Sequence, residues 1–446
     1  MLITNATLAT LDNENRFLHD YAVYIEDGVI RAIGPTEVLI PHYRDTDRLD
    51  ADGQIVMPGN ICAHTHFYGA FARGMGIAGA PPQNFPQILE KLWWPLDKAL
   101  DADSIRASAL LFLLDAIKNG TTTLIDHHAS PNHIDGSLDI IAREVEQAGL
   151  RAVLCYEVSD RDGQEKTQAG IAENVRFIQA YEQNARIKGT FGLHASMTLS
   201  DETLRACAKA IPTGEGFHIH VAEHEADEED SLKRYGKRVI HRLRDHGILG
   251  DKTIVAHCVH IDGDELNTLF GTRTWITHQP RSNMNNAVGV LPHLAQMLKL
   301  EMRLCLGNDG FSGNLWEEWK AAYFLHKVAS RNPQVAGGWD IIKIAVQNNA
   351  ALVGRFFNGK RFGIISEGAQ ADLIFVDYRP FTPLNGENLP WHILFGFEPG
   401  MVTATIVDGK VLMRDKVLLT LDEDAILAEA RAIAPQVWAR YAKFAG

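Results

Sequence analysis

Between residues 55 and 310 the chain alternates short apolar runs with longer stretches of helical periodicity. Eight runs stand out: "QIVMPGNICAH", "TTTLIDHH", "RAVLCYEVSD", "KGTFGLHAS", "GFHIHVAE", "KTIVAHCVH", "TWITHQP" and "RLCLGNDG". Each is followed by a helix-like segment such as "DSIRASALLFLLDAIKNG", with Gly120 placed to end the helix. Strand–helix alternation with right-handed crossovers builds a parallel sheet, and eight such units close into a barrel. The ends of the chain read differently. Residues 1 to 56 and 362 to 420 show two-residue periodicity with turn signals at Asp27-Gly28 and Asp408-Gly409, which predicts one small β-sandwich assembled from both termini. The expected architecture is therefore α/β, a (β/α)8 TIM barrel over residues 57–361. The sandwich takes 1–56 and 362–420, and an amphipathic helix lies within 421–446. Neither an internal repeat nor a low-complexity segment interrupts the pattern.

Composition narrows the class of protein. Of 446 residues, 46% are hydrophobic and 22% charged, and no apolar run nears the ~20 residues that span a bilayer. The first residues lack a basic flank and an apolar core of the secretory kind, so a cytoplasmic location and no membrane partner are expected. The five cysteines are scattered and never spaced as C-x-x-C, which argues against a disulfide framework or a cysteine-ligated zinc. A net charge of -13 without any Lys/Arg stripe makes nucleic acid an unsuitable partner.

In a barrel of this kind chemistry gathers at the C-terminal ends of the strands, and that is where eight of the nineteen histidines fall. His64 and His66 share one face of the first strand by alternation. Alone, H-x-H reads equally well as a polar strand end. The fifth run adds His218 and His220 on one face, with Glu223 three residues further on. Asp309 closes the eighth run between Gly307 and Gly310, and His257 closes the sixth. Imidazoles with one carboxylate suit zinc or ferrous iron better than magnesium or calcium. An open coordination position on such an ion lowers the pKa of bound water to about 7, which points to hydrolysis. His224, Glu225 and Asp227 read as a solvated acidic helix start. Trp93 and Trp94 fit packing or a pocket wall.

Taken together, H-x-H after "MPG", His-x-x-Glu, the histidine of "AHCVH" and "GNDG" resemble the amidohydrolase superfamily over nearly the whole chain. "ARG", "LWWPLD", "GTTTLIDHH", "HQPRSN" and "GIISEGAQADLIFVD" are most similar to its cytosine/guanine deaminase and triazine-hydrolase (TRZ/ATZ) branch. Within that branch "HFYGAFARG" and "IDHHASP" look most like the SsnA-type aminohydrolases. The resemblance implies that His64, His66, His220 and Asp309 hold one divalent metal ion, zinc first and iron second. It further implies that Glu223 shuttles a proton to a ring nitrogen, that His257 positions water and that Asp309 accepts its proton. The implied reaction releases ammonia from an amino-substituted N-heterocycle of purine, pterin or pyrimidine type. The alternatives are a dechlorinating or alkylamine-releasing triazine hydrolase, or a non-catalytic metal-binding protein. Binuclear relatives carry a carboxylated lysine on strand 4; here that strand ends in His194 and Lys188 lies at its other end, so a single ion is expected. Arg73, His128 and His194 are the expected substrate contacts, with at most one of His127 and His128 facing the pocket. The partner is a small heterocyclic molecule, and a homodimer or higher homo-oligomer is the expected assembly.

Overall fold

The computed structural model describes residues 1–445. Its centre is a ring of parallel strands: β1 (Asn60–Thr65), β2 (Thr121–His128), β3 (Arg151–Tyr156), β4 (Phe191–Ala195), β5 (Phe217–Val221), β6 (Ile254–His257), β7 (Trp275–His278) and β8 (Leu304–Leu306). β1 to β3 pair in sequence order, as do β4 to β8. Two seams join these halves. Between β3 and β4, Val158 N–H donates to Gly192 O (3.2 Å) and His194 N–H to Val158 O (3.0 Å). Between β8 and β1, Asn308 N–H donates to His64 O (2.9 Å) and Asp309 N–H to the same oxygen (3.2 Å). The predicted eight-stranded barrel is thereby closed. Apart from His220, every residue of the eight strands is buried, as expected where helices cover the outer face and side chains fill the interior.

Two predicted strands are each divided. The first run breaks at Gly59: Ile55–Pro58 leaves the barrel and pairs antiparallel with Leu373–Val376, while Asn60–Thr65 forms β1. A side chain at Gly59 would lie 2.2 Å from a Thr122 methyl carbon, so only glycine lets the backbone pass this close to β2. The fourth run splits at Thr190 into Ile187–Gly189, which pairs with β3, and Phe191–Ala195, which pairs with β5.

Strands from both ends of the chain form one hydrogen-bonded nine-stranded sheet. It rolls back on itself: Val29 bridges Gln370, and Ala371 N–H donates to Gly28 O. Ile3, Leu8, Val23, Ile30, Val56, Leu373 and Ile406 pack inside the roll, none more than 3% exposed. The terminal helix Glu423–Phe444 lies on the barrel helix Ala102–Lys118, joined by Arg106–Glu429 and Lys118–Glu423 ion pairs. That barrel helix starts in a capping box of Asp101 and Ser104, and Gly120 follows its C-cap Asn119 in the left-handed region. All five cysteines are buried and free. Among the described residues no helix is long and apolar enough to cross a membrane.

Candidate active site

The C-terminal ends of β1, β5, β6 and β8 bring four predicted ligands into one cluster. His64, His66, His220 and Asp309 each offer a ligand atom, all within 4.8 Å of one another. His64 Nε2 lies 3.0 Å and His66 Nε2 3.2 Å from Asp309 Oδ1, and His66 Nε2 lies 3.1 Å from His220 Nε2. Ligand atoms sharing one tetrahedral ion at ~2.0–2.1 Å stand about 3.3 Å apart, close to these separations. Proton placement supports the same fit. His66 donates its Nδ1–H to His127 O, and His220 donates its Nδ1–H to His194 O (2.9 Å). Each Nε2 therefore presents a lone pair, and a proton or metal ion must lie between them. Burial pushes His64 down to about 3 and His220 well below the ordinary imidazole value, so both are neutral ligands. At His66 burial acts the same way, but the Asp309 carboxylate outweighs it and raises the group to about 9. The cluster thus favours one positive charge among neutral donors.

The carriers of this chemistry sit on unusual backbone. His257 (φ +71°), Asp309 (φ +55°) and Ala222 (φ +45°), the residue before Glu223, all occupy the left-handed region. Side-chain-bearing residues adopt it at a cost of about 1–3 kcal/mol, which the surrounding packing must hold in place. Here it turns the strand ends inward. Asp309 Oδ2 accepts from Ser282 Oγ. His257 donates Nδ1–H to Asn283 Oδ1 (2.9 Å), leaving a buried Nε2 with no hydrogen bond, 3.5 Å from Glu223 Oε2 and 3.8 Å from Asp309 Oδ1. Glu223 Oε1 accepts from Asn286 Nδ2 (3.4 Å). Burial, reinforced by the Asp309 charge, raises the Glu223 carboxyl well above the usual carboxylate range.

A cavity opens over this cluster. Its polar floor is His66, His220, Glu223 and Asp309, and its walls include Tyr68, Phe85, Leu89, Trp93 and Trp94. The tryptophan pair is a pocket wall. His194, expected to meet substrate, also faces this space. Arg73 and His128, also expected to meet substrate, are not among the residues that line it. Arg73 is exposed on the segment after Phe67–Ala72, with no hydrogen bond or ion pair among the described residues. His128 turns out of the barrel mouth to Ser130 Oγ (2.9 Å). Its neighbour His127 points inward and donates Nε2–H to His218 O (3.0 Å). His218 lies beneath the cluster, its Nε2 2.8 Å from His64 Nδ1. Asp227 is buried rather than solvated and accepts from Met197 N–H (2.8 Å) and Ala222 N–H (2.9 Å), bracing the turn that aims Glu223. Lys188 reaches away from the site to Glu182 O.

Sequence reasoning missed Glu157, a buried carboxylate directly after β3 that lines the cavity. The available signal was the same one used for the histidines, a polar residue closing an apolar run. Asn283 and Ser282 were also missed, although "HQPRSN" contains both.

The chain matches the Amidohydrolase family over residues 55–412. It is 35% identical over 449 residues to a 5'-deoxyadenosine deaminase of Methanosarcina acetivorans, covering 99% of each chain. It is 31% identical over 442 residues to a 5-methylthioadenosine/S-adenosylhomocysteine deaminase of Syntrophomonas wolfei, covering 97% of this chain and 98% of the other. An adenosine deaminase from Xanthomonas campestris, solved with bound zinc, shares the fold with a TM-score of 0.85 at 22% identity, covering 98% of both chains. The motif-based resemblance and the match over most of the chain agree: this protein belongs to the amidohydrolase family.

Proposed function

We propose that this protein is a metal-dependent aminohydrolase that releases ammonia from an amino-substituted N-heterocycle. The observation that carries the reading is the convergence of His64, His66, His220 and Asp309 beside Glu223 and His257 at the floor of one aromatic-walled cavity. The names of the two deaminase relatives support the same reaction on purine-type rings. His64, His66, His220 and Asp309 would hold one divalent ion, with zinc favoured by the donor set and by the zinc-bound structural neighbour. Such an ion supplies water acidified to a pKa of about 7.

The protein's own groups do the rest. Glu223, held by Asn286, carries a proton to the ring nitrogen next to the reacting carbon. That transfer is needed because an amine leaves readily only once the ring is protonated and the departing group goes as NH3. His257, its Nδ1–H fixed by Asn283, offers Nε2 to water or substrate beside Glu223. Asp309, fixed by Ser282, accepts the water proton. His194 and the tryptophan wall hold the ring, and dry walls strengthen each of these interactions. The balance is substrate C–NH2 plus water giving C=O plus ammonia.

In this reading residues 57–361 are the catalytic barrel, 1–56 and 362–420 its β-rich companion and 421–446 a helical extension. The protein works in the cytoplasm as a homodimer or higher homo-oligomer. The test is metal analysis coupled to an ammonia-release assay over amino-purines, pterins and pyrimidines. Ammonia release that tracks metal content is the expected result. Fully loaded protein without turnover on any of these rings, or chloride release from a chlorotriazine instead, overturns the assignment.

A further inference from the structure

Five residues of the cavity wall, Phe85, Leu89, Trp93, Trp94 and Asp97, come from one segment, residues 85–98. The segment is not a uniform helix. It begins as α-helix over Phe85–Ile88, widens into the π-helical turn Leu89–Trp93 and returns to α-helix over Trp94–Lys98. Pro95 breaks the regular ladder. It has no N–H, so the carbonyl four residues earlier, Lys91 O, loses its α-helical donor, and the pyrrolidine ring crowds that carbonyl outward. A turn opened in this way is held in one geometry only if a partner from outside satisfies it.

The terminal helix Glu423–Phe444 provides that partner. Tyr441, 3% exposed, donates its Oη–H to Lys91 O (2.6 Å). Arg440 donates Nε–H to Ala99 O (2.6 Å), just past the end of the segment, so the two bonds fall on either side of Pro95. Leu96 and Ala99 pack with Val437 and the Tyr441 ring on this side. Leu89, Trp93 and Asp97 recur every four residues and line the cavity, whereas Leu96 and Ala99 meet the terminal helix. Lys91 O lies in the turn between Leu89 and Trp93. A hydroxyl on the last helix of the chain therefore holds the turn that carries two side chains of the cavity wall.

We propose that Tyr441 is a positioning residue of the substrate cavity: its hydroxyl replaces the backbone donor that Pro95 lacks and so fixes Leu89 and Trp93 over the bound ring. The inference rests on the aminohydrolase reading only for what the wall holds. Tyr441 touches none of the reacting groups, so its loss acts on substrate binding and leaves Glu223, His257 and the metal ligands in place. The same geometry names the change that substitutes for it. Alanine at position 95 restores a backbone N–H that can bond Lys91 O.

The test uses the full-length, metal-loaded protein and compares wild type, Tyr441→Phe and the double variant Tyr441→Phe/Pro95→Ala. Ammonia release from adenosine, guanine and isocytosine is one readout, and backbone hydrogen exchange of residues 85–99 is the other. Tyr441→Phe is expected to raise KM by about 5–10-fold, the worth of one hydrogen bond, with kcat within about twofold of wild type. Metal content should stay at the wild-type level. Exchange of residues 85–99 should quicken by about the same 5–10-fold while the barrel strands exchange as before. The double variant should recover most of both effects. Wild-type KM in Tyr441→Phe, even with a lowered melting temperature, overturns the proposal, because the hydroxyl then serves stability alone. A defect that the double variant retains in full overturns it as well. If Tyr441→Phe does not fold, Arg440→Met removes the bond on the other side of Pro95, and wild-type KM and exchange in that variant count against the terminal helix as a brace of the wall. Absence of ammonia from every ring with wild-type protein is the separate result that sinks the parent reading, and the exchange measurement still decides whether Tyr441 holds the turn.

Discussion

The Nε2 atoms of His66 and His220 lie 3.1 Å apart with both lone pairs turned toward each other, because each ring has given its other proton to a carbonyl of a neighbouring strand end. An ion at this point relieves that repulsion in the native state alone. Ligand bound only to native protein stabilises it by about 4 kcal/mol at a thousandfold excess over Kd. Thermal unfolding in chelator should therefore occur at a lower temperature than with added zinc. His66→Ala and His220→Ala should abolish the difference. A melting temperature indifferent to zinc and chelator would count against a metal at this cluster.

Glu223 touches no backbone donor and is held only by Asn286, so its removal should cost chemistry more than structure. Glu223→Gln is expected to lower kcat by 10²–10⁴, the usual worth of a positioned proton carrier, with metal content at the wild-type level. Steady-state ammonia release alongside metal analysis separates this from loss of the ion. Unchanged kcat would remove Glu223 from the reaction.

Asn283 orients His257 by accepting its Nδ1–H, and partners of this kind typically contribute 10–100-fold. Asn283→Ala should reduce kcat by about that factor without changing the fold. An Asn283→Asp variant, which keeps the acceptor, should recover much of the loss. Equal defects in the two variants would mean that the acceptor itself is irrelevant.

Gly307 packs directly on the strand that carries two predicted ligands. A Cβ there would stand 2.6 Å from His64 O and 2.8 Å from His64 N, both backbone atoms that cannot swing aside. Gly307→Ala should destabilise the protein by ~1–3 kcal/mol, the usual range for overpacking, and weaken metal binding with it. Chemical denaturation and metal titration of the variant read both effects. Wild-type metal affinity in Gly307→Ala would show that His64 does not need this close fit.

Glu228 provides a pH signature remote from the reaction. Burial, and after it the neighbouring Glu265 charge, raises its carboxyl from 4.5 to about 8. Below about pH 4.5 the group is protonated in both states and contributes no pH dependence. Between about 4.5 and 8 the unfolded chain ionises while the native carboxyl keeps its proton, so stability falls as pH rises through this window. Glu228→Gln, which keeps an acceptor for Val239 N–H, should lose this component: its melting temperature should fall less than the wild type's between pH 5 and 9. Parallel melting curves over that range would contradict the raised value.

The sequence by itself determined the periodicities and what stands at the end of each strand. Eight apolar runs placed eight strands, and alternation put His64 and His66 on one face because successive side chains of a strand point to opposite sides. The same rule marked His220, His257 and Asp309 as strand-end groups, and the multi-motif resemblance carried the family. What alternation cannot supply is contact between strands distant in the chain. Closure of the ring through Asn308, Asp309 and His64 decided that His66 meets His220, and the same closure set His127 inward and His128 outward. Steric space at Thr122 divided the first predicted strand at Gly59. Arg73 and Asp227 exchanged their expected settings, the arginine exposed and the aspartate buried, because exposure depends on which helix or loop covers a residue. Glu157 is the clearest case. Its place at the end of the third apolar run was legible in the sequence, but only the tertiary structure sets its carboxylate among His66, His127 and His194, three histidines from other strands.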